Sequence, residues 1–374
     1  MTLRDPSFKS RIPVYSTNLP IDPFLPSQLL PSHIVSPIAS RHTLILNKYY
    51  TINEHSILIT NNFERQEALL TLQDIEAWFF CIASIKALGF YNSNSVAGAS
   101  QPHKHMQLIP LNEIRNLSPD STYTLPIDIS IRSKIIKKEW KYFFPFSTSS
   151  ITASGTQSRG SGFYGVDTRS SSTESEEDSG ALYPDVLEGA GQDNVYNIPE
   201  YRFKHALVAL IAAEEWEEVK ESTQIVASYS DYLVAAYRQL LWELQLTSSL
   251  TSRAGVASGG YNLLLTERWM LLVCRQQEAY LAPHPSSLTG NLGFGDPQSS
   301  REGDKGAESM AASAATMDMP MQLEGEVEGE FEVASVNGLG FAGLLLARSP
   351  VAMGVIRDKS PLMVLQGVSM PMEQ

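Results

Sequence analysis

The sequence predicts an α+β fold, a mainly antiparallel sheet with packed helices, and three observations carry the prediction. Between 42 and 110 the chain reads strand, strand, helix, strand, strand. Strand and helix signals resume at 198 and continue toward 372. Between and within these units, the stretches 147–197 and 284–330 are small, polar and acidic, and read as two long disordered insertions.

Residues 1–41 are proline-rich and are expected to form an extended segment laid over the rest. "HTLILNKYY" (42–50) is aliphatic and β-branched, a strand, and "HSILIT" (55–60) is its hairpin partner across the short gap "TINE". In "TLQDIEAWFFCIASIKAL" (71–88), Ile75, Trp78, Phe79, Ile82 and Ile85 recur at helical spacing. Thr71 caps that helix, with Asp74 near its positive end. "GFYN" (89–92) restarts a strand, and a small-residue loop leads into another, stopped by Pro110. This first unit spans 42–146. In the second, 198–372, "IPEYRFKHALVAL" (198–210) resumes order and 222–246 reads as one long amphipathic helix. Residues 259–275 read as two strands joined by a turn at Thr266–Glu267, and 333–349 as a glycine-punctuated apolar segment. No repeat of fixed period is apparent.

Composition excludes several functions. A formal charge of −13 argues against general nucleic-acid binding. Only Cys81 and Cys274 are present, too few for a disulfide framework or a four-cysteine zinc site. No apolar run is long enough for a bilayer span, and the N-terminus has no secretory h-region. A protein of the cytoplasm, with the nucleus as the other compartment, and a monomer or weak dimer is expected.

The chemistry concentrates in "GASQPHKHMQLIP" (98–110). On a strand, His103, His105 and Gln107 share one face while Lys104, Met106 and Leu108 take the other. Upstream, Gly98, Ala99 and Ser100 leave backbone N–H groups uncovered for an anion. An imidazole, an amide and a bare backbone suit attack on a phosphate better than metal binding. Two other readings stay open at this level: a metal pair, which lacks a third ligand nearby, and surface histidines on an edge strand. His42 and His55, flanking the first hairpin, read as structural.

The chain resembles the ATP adenylyltransferases, also called diadenosine tetraphosphate phosphorylases, of the fungal and cyanobacterial type. The matching pieces are "DPFLP" (22–26), "LNKYYTINEHSILIT" (46–60), "YNSNSVAGASQPHKHMQLIP" (91–110), "RFKHAL" (202–207), "YNLLLTERWML" (261–271) and "VNGLGFAGLLL" (336–346). They occur in family order and cover most of the chain outside the insertions. The resemblance implies a histidine-triad-like fold and phosphorolysis of diadenosine tetraphosphate to ATP and ADP through a covalent AMP-histidine. His105 is the implied nucleophile. The implied substrate contacts are Asn47, Lys48, Asn92, Gly98, Ala99, Ser100, Gln101, His103, Gln107, Asn262 and Thr266, although the last two also suit a turn. The implied partners are nucleotides and phosphate. No covalently bound cofactor and no protein-held metal is expected, with a divalent cation, magnesium, arriving on the polyphosphate.

Family members carry some tens of residues ahead of the "DPFLP" element, including a lysine implied to touch phosphates, whereas this chain starts almost at that element. That departure gives the alternative reading: a nucleotide-binding protein of the same fold with impaired turnover. A hexose-1-phosphate uridylyltransferase is the remaining alternative.

Overall fold

The structure, a computed structural model, describes residues 2–3, 22–119, 121, 124–131, 143, 195–223, 227–248, 250, 255–283, 331–347 and 349–372. Nearly all of the expected insertions lies outside the described residues.

The strands are β1 (Thr2–Leu3), β2 (Ile34–Ile38), β3 (His42–Leu46), β4 (Ser56–Thr60), β5 (Ala87–Asn92), β6 (His105–Pro110), β7 (Val195–Tyr196), β8 (His205–Ala209), β9 (Gly260–Leu265), β10 (Trp269–Arg275), β11 (Ala279–Pro283), β12 (Phe331–Ser335) and β13 (Leu346–Ala347). The helices are α1 (Leu72–Ile85), α2 (Leu111–Asn116), α3 (Ala213–Thr223), α4 (Tyr229–Glu243), α5 (Pro350–Lys359) and α6 (Pro361–Val368). Nine strands form one sheet in the order β2-β3-β4-β6-β5-β9-β10-β8-β7, and every pairing in it is antiparallel. The expected α+β class is therefore observed, with strands of both units joined in a continuous sheet.

Four expectations need correction. Residues 26–33 are not extended but form two 3₁₀ turns, and the large sheet already has a strand, β2, ahead of 42. Pro37 does not prevent that strand because β2 is an edge, where the missing N–H is tolerated. The first hairpin strand ends at Leu46, and Val195–Tyr196 of the expected insertion pair with β8. The segment 222–246 is not one helix, for α3 ends at Thr223 and α4 begins after Ser228. Ser228 and Asp231 form a capping box there, satisfying orphan N–H groups and fixing the start.

Although no fixed-period repeat exists, the topology repeats. β3-β4-β6-β5 in the first half and β7-β8-β10-β9 in the second run in the same order toward the centre, with β2 added outside β3. The seam is β5 against β9, where Asn92 pairs with Asn262, and a tyrosine precedes the asparagine in both strands.

Strand alternation divides the core into two layers. One face presents Leu58, Met106, Leu108, Tyr91 and Leu263 to α1 and α4. The Thr71–Asp74 capping box starts α1, as the sequence implied. The other face presents Leu88, Phe90, Leu264, Leu271 and Val273 to the C-terminal segment, with Phe341, Val364 and Val368 above them. That cover lies over the second half and leaves a cleft over the first. No described helix is long and apolar enough to cross a membrane.

Candidate active site

The cleft has a volume of about 1130 Å³ and is lined by Asn47, Lys48, Asn92, Gly98, Ala99, Ser100, Gln101, His105 and Gln107, together with side chains from the N- and C-terminal segments. It exceeds the roughly 300–1,000 Å³ of ordinary small-molecule sites. Nine of the sequence-derived residues thus converge on one space.

His105 sits at the start of β6, buried at its floor. Its Nδ1–H donates to the His103 carbonyl at 2.8 Å, so the proton lies on Nδ1 and the Nε2 lone pair is left over. Among the described residues nothing bonds Nε2. Burial lowers the imidazole pKa to about 4, with the neighbouring His103 adding to the shift. The ring is therefore neutral near pH 7. Phe24 packs against it with ring centroids 5.2 Å apart. Gln66 holds the strand: its Oε1 accepts from the His105 N–H at 2.8 Å, and its Nε2 donates to the carbonyls of Asn92 at 2.6 Å and His105 at 3.2 Å. Nothing local marked Gln66, because its partners lie 26 and 39 residues away.

The loop differs from the expectation of bare amides. Ala97, Gly98 and Ala99 all donate backbone N–H groups within the loop, to Asn94 or Ser95. Gly98 has φ +92°, which favours glycine at this close approach to Val336 and Asn337. Within the cleft-lining stretch 98–101, the backbone donors without a partner among the described residues are those of Ser100 and Gln101. The loop donors left open to the cleft are thus these two amides and the Ser100 hydroxyl.

Three predicted contacts do not reach the cleft. His103 shares the His105 side, as alternation required, but Asp22 covers it: Nδ1 bonds Asp22 Oδ2 at 2.7 Å, and Nε2 lies 2.9–3.0 Å from the two oxygens of Thr60. It ties the "DPFLP" element to the histidine strand. Asn262 is fully buried, with Nδ2 donating to Asn92 Oδ1 and the Ala97 carbonyl, both at 2.8 Å, and Oδ1 accepting from Arg275 at 2.6 Å. Thr266 closes the β9–β10 turn, its hydroxyl accepting from the N–H groups of Arg268 and Trp269. Asn92 lines the cleft, yet its Oδ1 is occupied by Asn262 and by the Gly338 N–H at 2.9 Å.

Arg275, which the sequence did not single out, joins these pieces. Its guanidinium donates to Asn262 and to the carbonyls of Ala97, Gln277, Glu278, Val336 and Val368. One buried cation thereby fastens the loop to the C-terminal cover. Behind the histidine strand, Lys104 bonds Asp74 at 3.0 Å and Glu64 at 2.6 Å, while His42 bonds Asp74 at 2.8 Å. Burial would raise the Asp74 carboxyl, but the His42 hydrogen bond and the Lys104 charge outweigh it and lower the pKa to about 2. Cys81 and Cys274 are buried and free. Among the described residues no group of three or more His, Cys, Asp or Glu side chains is arranged to hold a metal.

The matched families agree with this arrangement. The Ap4A phosphorylase N-terminal domain matches residues 8–133, and the ATP adenylyltransferase C-terminal domain matches 199–371. The chain belongs to the Ap4A phosphorylase, or ATP adenylyltransferase, family. Two Saccharomyces cerevisiae proteins are each 32% identical to it: diadenosine 5',5'''-P1,P4-tetraphosphate phosphorylase 2 over 83 residues, and Protein APA1 over 79. Each match takes in 19% of this chain, and it spans about a quarter of these curated relatives, 26% and 25%. The crystal structure of yeast Ap4A phosphorylase Apa2 superposes with a TM-score of 0.53 at 16% identity, covering 94% of this chain and 82% of that one. Its complex with Ap4A gives 0.50 at 17% identity, covering 95% and 82%. These likenesses show a shared fold.

Proposed function

We propose that this family member phosphorolyses diadenosine tetraphosphate to ATP and ADP, with AMP carried on His105. The carrying observation is the free, neutral Nε2 of His105 at the floor of a cleft that also presents Gln107, Ser100 and Gln101. Nε2 attacks the phosphorus of one terminal adenylyl group. The bond from that phosphorus to the bridging oxygen breaks, and ATP leaves. A phosphate oxygen then attacks the same phosphorus, the P–N bond breaks, and ADP departs. Imidazole is both a competent nucleophile and a good leaving group once phosphorylated, so two moderate barriers replace one high one. The Gln107 amide, with the Ser100 and Gln101 N–H groups, stabilises charge on the non-bridging oxygens from fixed positions. Lys48 supplies positive charge for the remaining phosphates, and magnesium accompanies the polyphosphate. The reading draws support from yeast Apa2, whose structures include complexes with AMP and Ap4A.

The test is incubation with diadenosine tetraphosphate labelled at its adenylyl phosphorus, or with α-labelled ADP, which loads the histidine by the reverse of the second step. Acid-labile, base-stable label on the protein, discharged as ADP by inorganic phosphate, is the expected result. Nucleotide binding with no such label would leave the impaired, binding-only reading in its place.

A further inference from the structure

His55, at the foot of the first hairpin, is buried, and its sequence position suggests only a structural role. Its hydrogen bonds place it in a directional chain that ends at the reacting phosphate's side of the cleft. The chain starts from a group whose polarity is fixed. The backbone N–H of Tyr49 donates to Asn47 Oδ1 at 2.9 Å, which settles the orientation of the Asn47 amide. Asn47 Nδ2 then donates to His55 Nδ1 at 3.1 Å. With Nδ1 accepting, the proton of a neutral His55 lies on Nε2, which donates to Gln107 Oε1 at 3.0 Å. The carbonyl end of Gln107 is therefore taken, and the end left to face the cleft is the –NH₂.

A glutamine amide has two ends of nearly equal shape and opposite polarity. Turned over, Gln107 would point a carbonyl oxygen at an anion and oppose charge development there. Nothing in its own strand prevents that turn. The backbone N–H and C=O of a strand serve the ladder, and the side chain projects from it. From this polarity we infer that His55 is a positioning residue that fixes the Gln107 amide with its donor end toward the phosphate. Packing of the His55 ring against Phe90, 5.7 Å between centroids, and the Asn47 N–H to His55 carbonyl bond at 2.8 Å hold the imidazole in place. The inference deepens the adenylyl-transfer reading above and rests on it.

Two variants and one cycle test it in single-turnover adenylylation with diadenosine tetraphosphate. His55→Leu removes the donor and should lower the rate constant on the order of a hundredfold, the usual cost of losing one preorganised donor, while KM changes little. His55→Gln carries an amide N–H near the place of Nε2 and should recover most of that loss. In a Gln107→Ala background, His55→Leu should cost little more, since the group it positions is gone. Thermal melts of all variants separate loss of fold from loss of rate, a distinction the Gln rescue and the cycle do not depend on. Retention of the full rate by His55→Leu, failure of His55→Gln to rescue, or fully additive losses with Gln107→Ala would each overturn the positioning role. If the unsubstituted protein forms no adenylyl-enzyme, the parent reading falls and this one with it.

Discussion

At corresponding rungs of the two half-sheets, a histidine faces an aliphatic residue, but on exchanged strands. In the first half His105 on β6 lies opposite Ile59 on β4; in the second, His205 on β8 lies opposite Val273 on β10. Both rings make the same local bond, Nδ1–H to the carbonyl two residues earlier, at 2.8 Å for His105 and 2.7 Å for His205. Burial lowers both pKa values. The difference lies at Nε2. His205 Nε2 accepts the Ile198 N–H at 2.7 Å, and aromatic rings of Tyr201 and Phe203 close around it. His105 Nε2 faces open cleft. Strand pose and neutrality are thus common to both, and the vacancy at one nitrogen is what permits a nucleophile.

Removing each imidazole in turn should separate the two histidines most widely. His105→Ala should lower adenylyl capture by several orders of magnitude with the fold retained, measured as label on the protein. His205→Ala should still capture AMP at a rate within a few-fold of the parent. Comparable losses from the two would refute the assignment.

The next largest effect concerns pH. An imidazole with a pKa near 4 keeps its lone pair down to that value, so the adenylylation rate should be insensitive to His105 ionisation above about pH 5 and fall as pH drops through 4. A fall centred on the ordinary 6.5 would show that the ring is solvated in the free enzyme.

Stability distinguishes the pair in another way. His205→Ala leaves the buried Ile198 N–H without an acceptor and should cost about 1–3 kcal/mol in urea unfolding. Because both folded-state pKa values lie below the unfolded value, the unfolded chain binds more protons in that window. Stability should therefore decline as pH falls below 6.5, and His205→Ala should flatten part of that slope.

The smallest effect is assigned to Thr266. As a turn residue it contributes about 1 kcal/mol or less through its hydroxyl, and Thr266→Ala should leave the adenylylation rate unchanged. A large loss of rate would return it to the substrate.

What could be read beforehand follows from how far each signal reaches along the chain. Alternation placed His105 and Gln107 on one face, and the small residues at 98–100 marked the loop, because both signals lie within a dozen positions. Alternation names a face but not its cover, so His103 seemed open although Asp22, 81 residues earlier, closes over it. Asn262 and Arg275 owe their roles to the Ala97 carbonyl, 165 and 178 residues distant, which no local pattern encodes. The strand at 34–38 was hidden by Pro37, since a proline reads as a breaker unless the edge position is known.

The seam between the halves has a consequence for biosynthesis. Asn92 completes its bonds only with Asn262, 170 residues later, and with Gly338, 246 residues later. At the usual roughly 5–20 residues per second of synthesis, that interval is about 10–50 s. Throughout it β5 is an unpaired edge beside a strand that already carries His105, the kind of edge that recruits other chains. Closing so long a loop is also entropically slow. The nascent first half is therefore the stage at which a chaperone has most to protect, and the cleft acquires its final wall among the last events of folding.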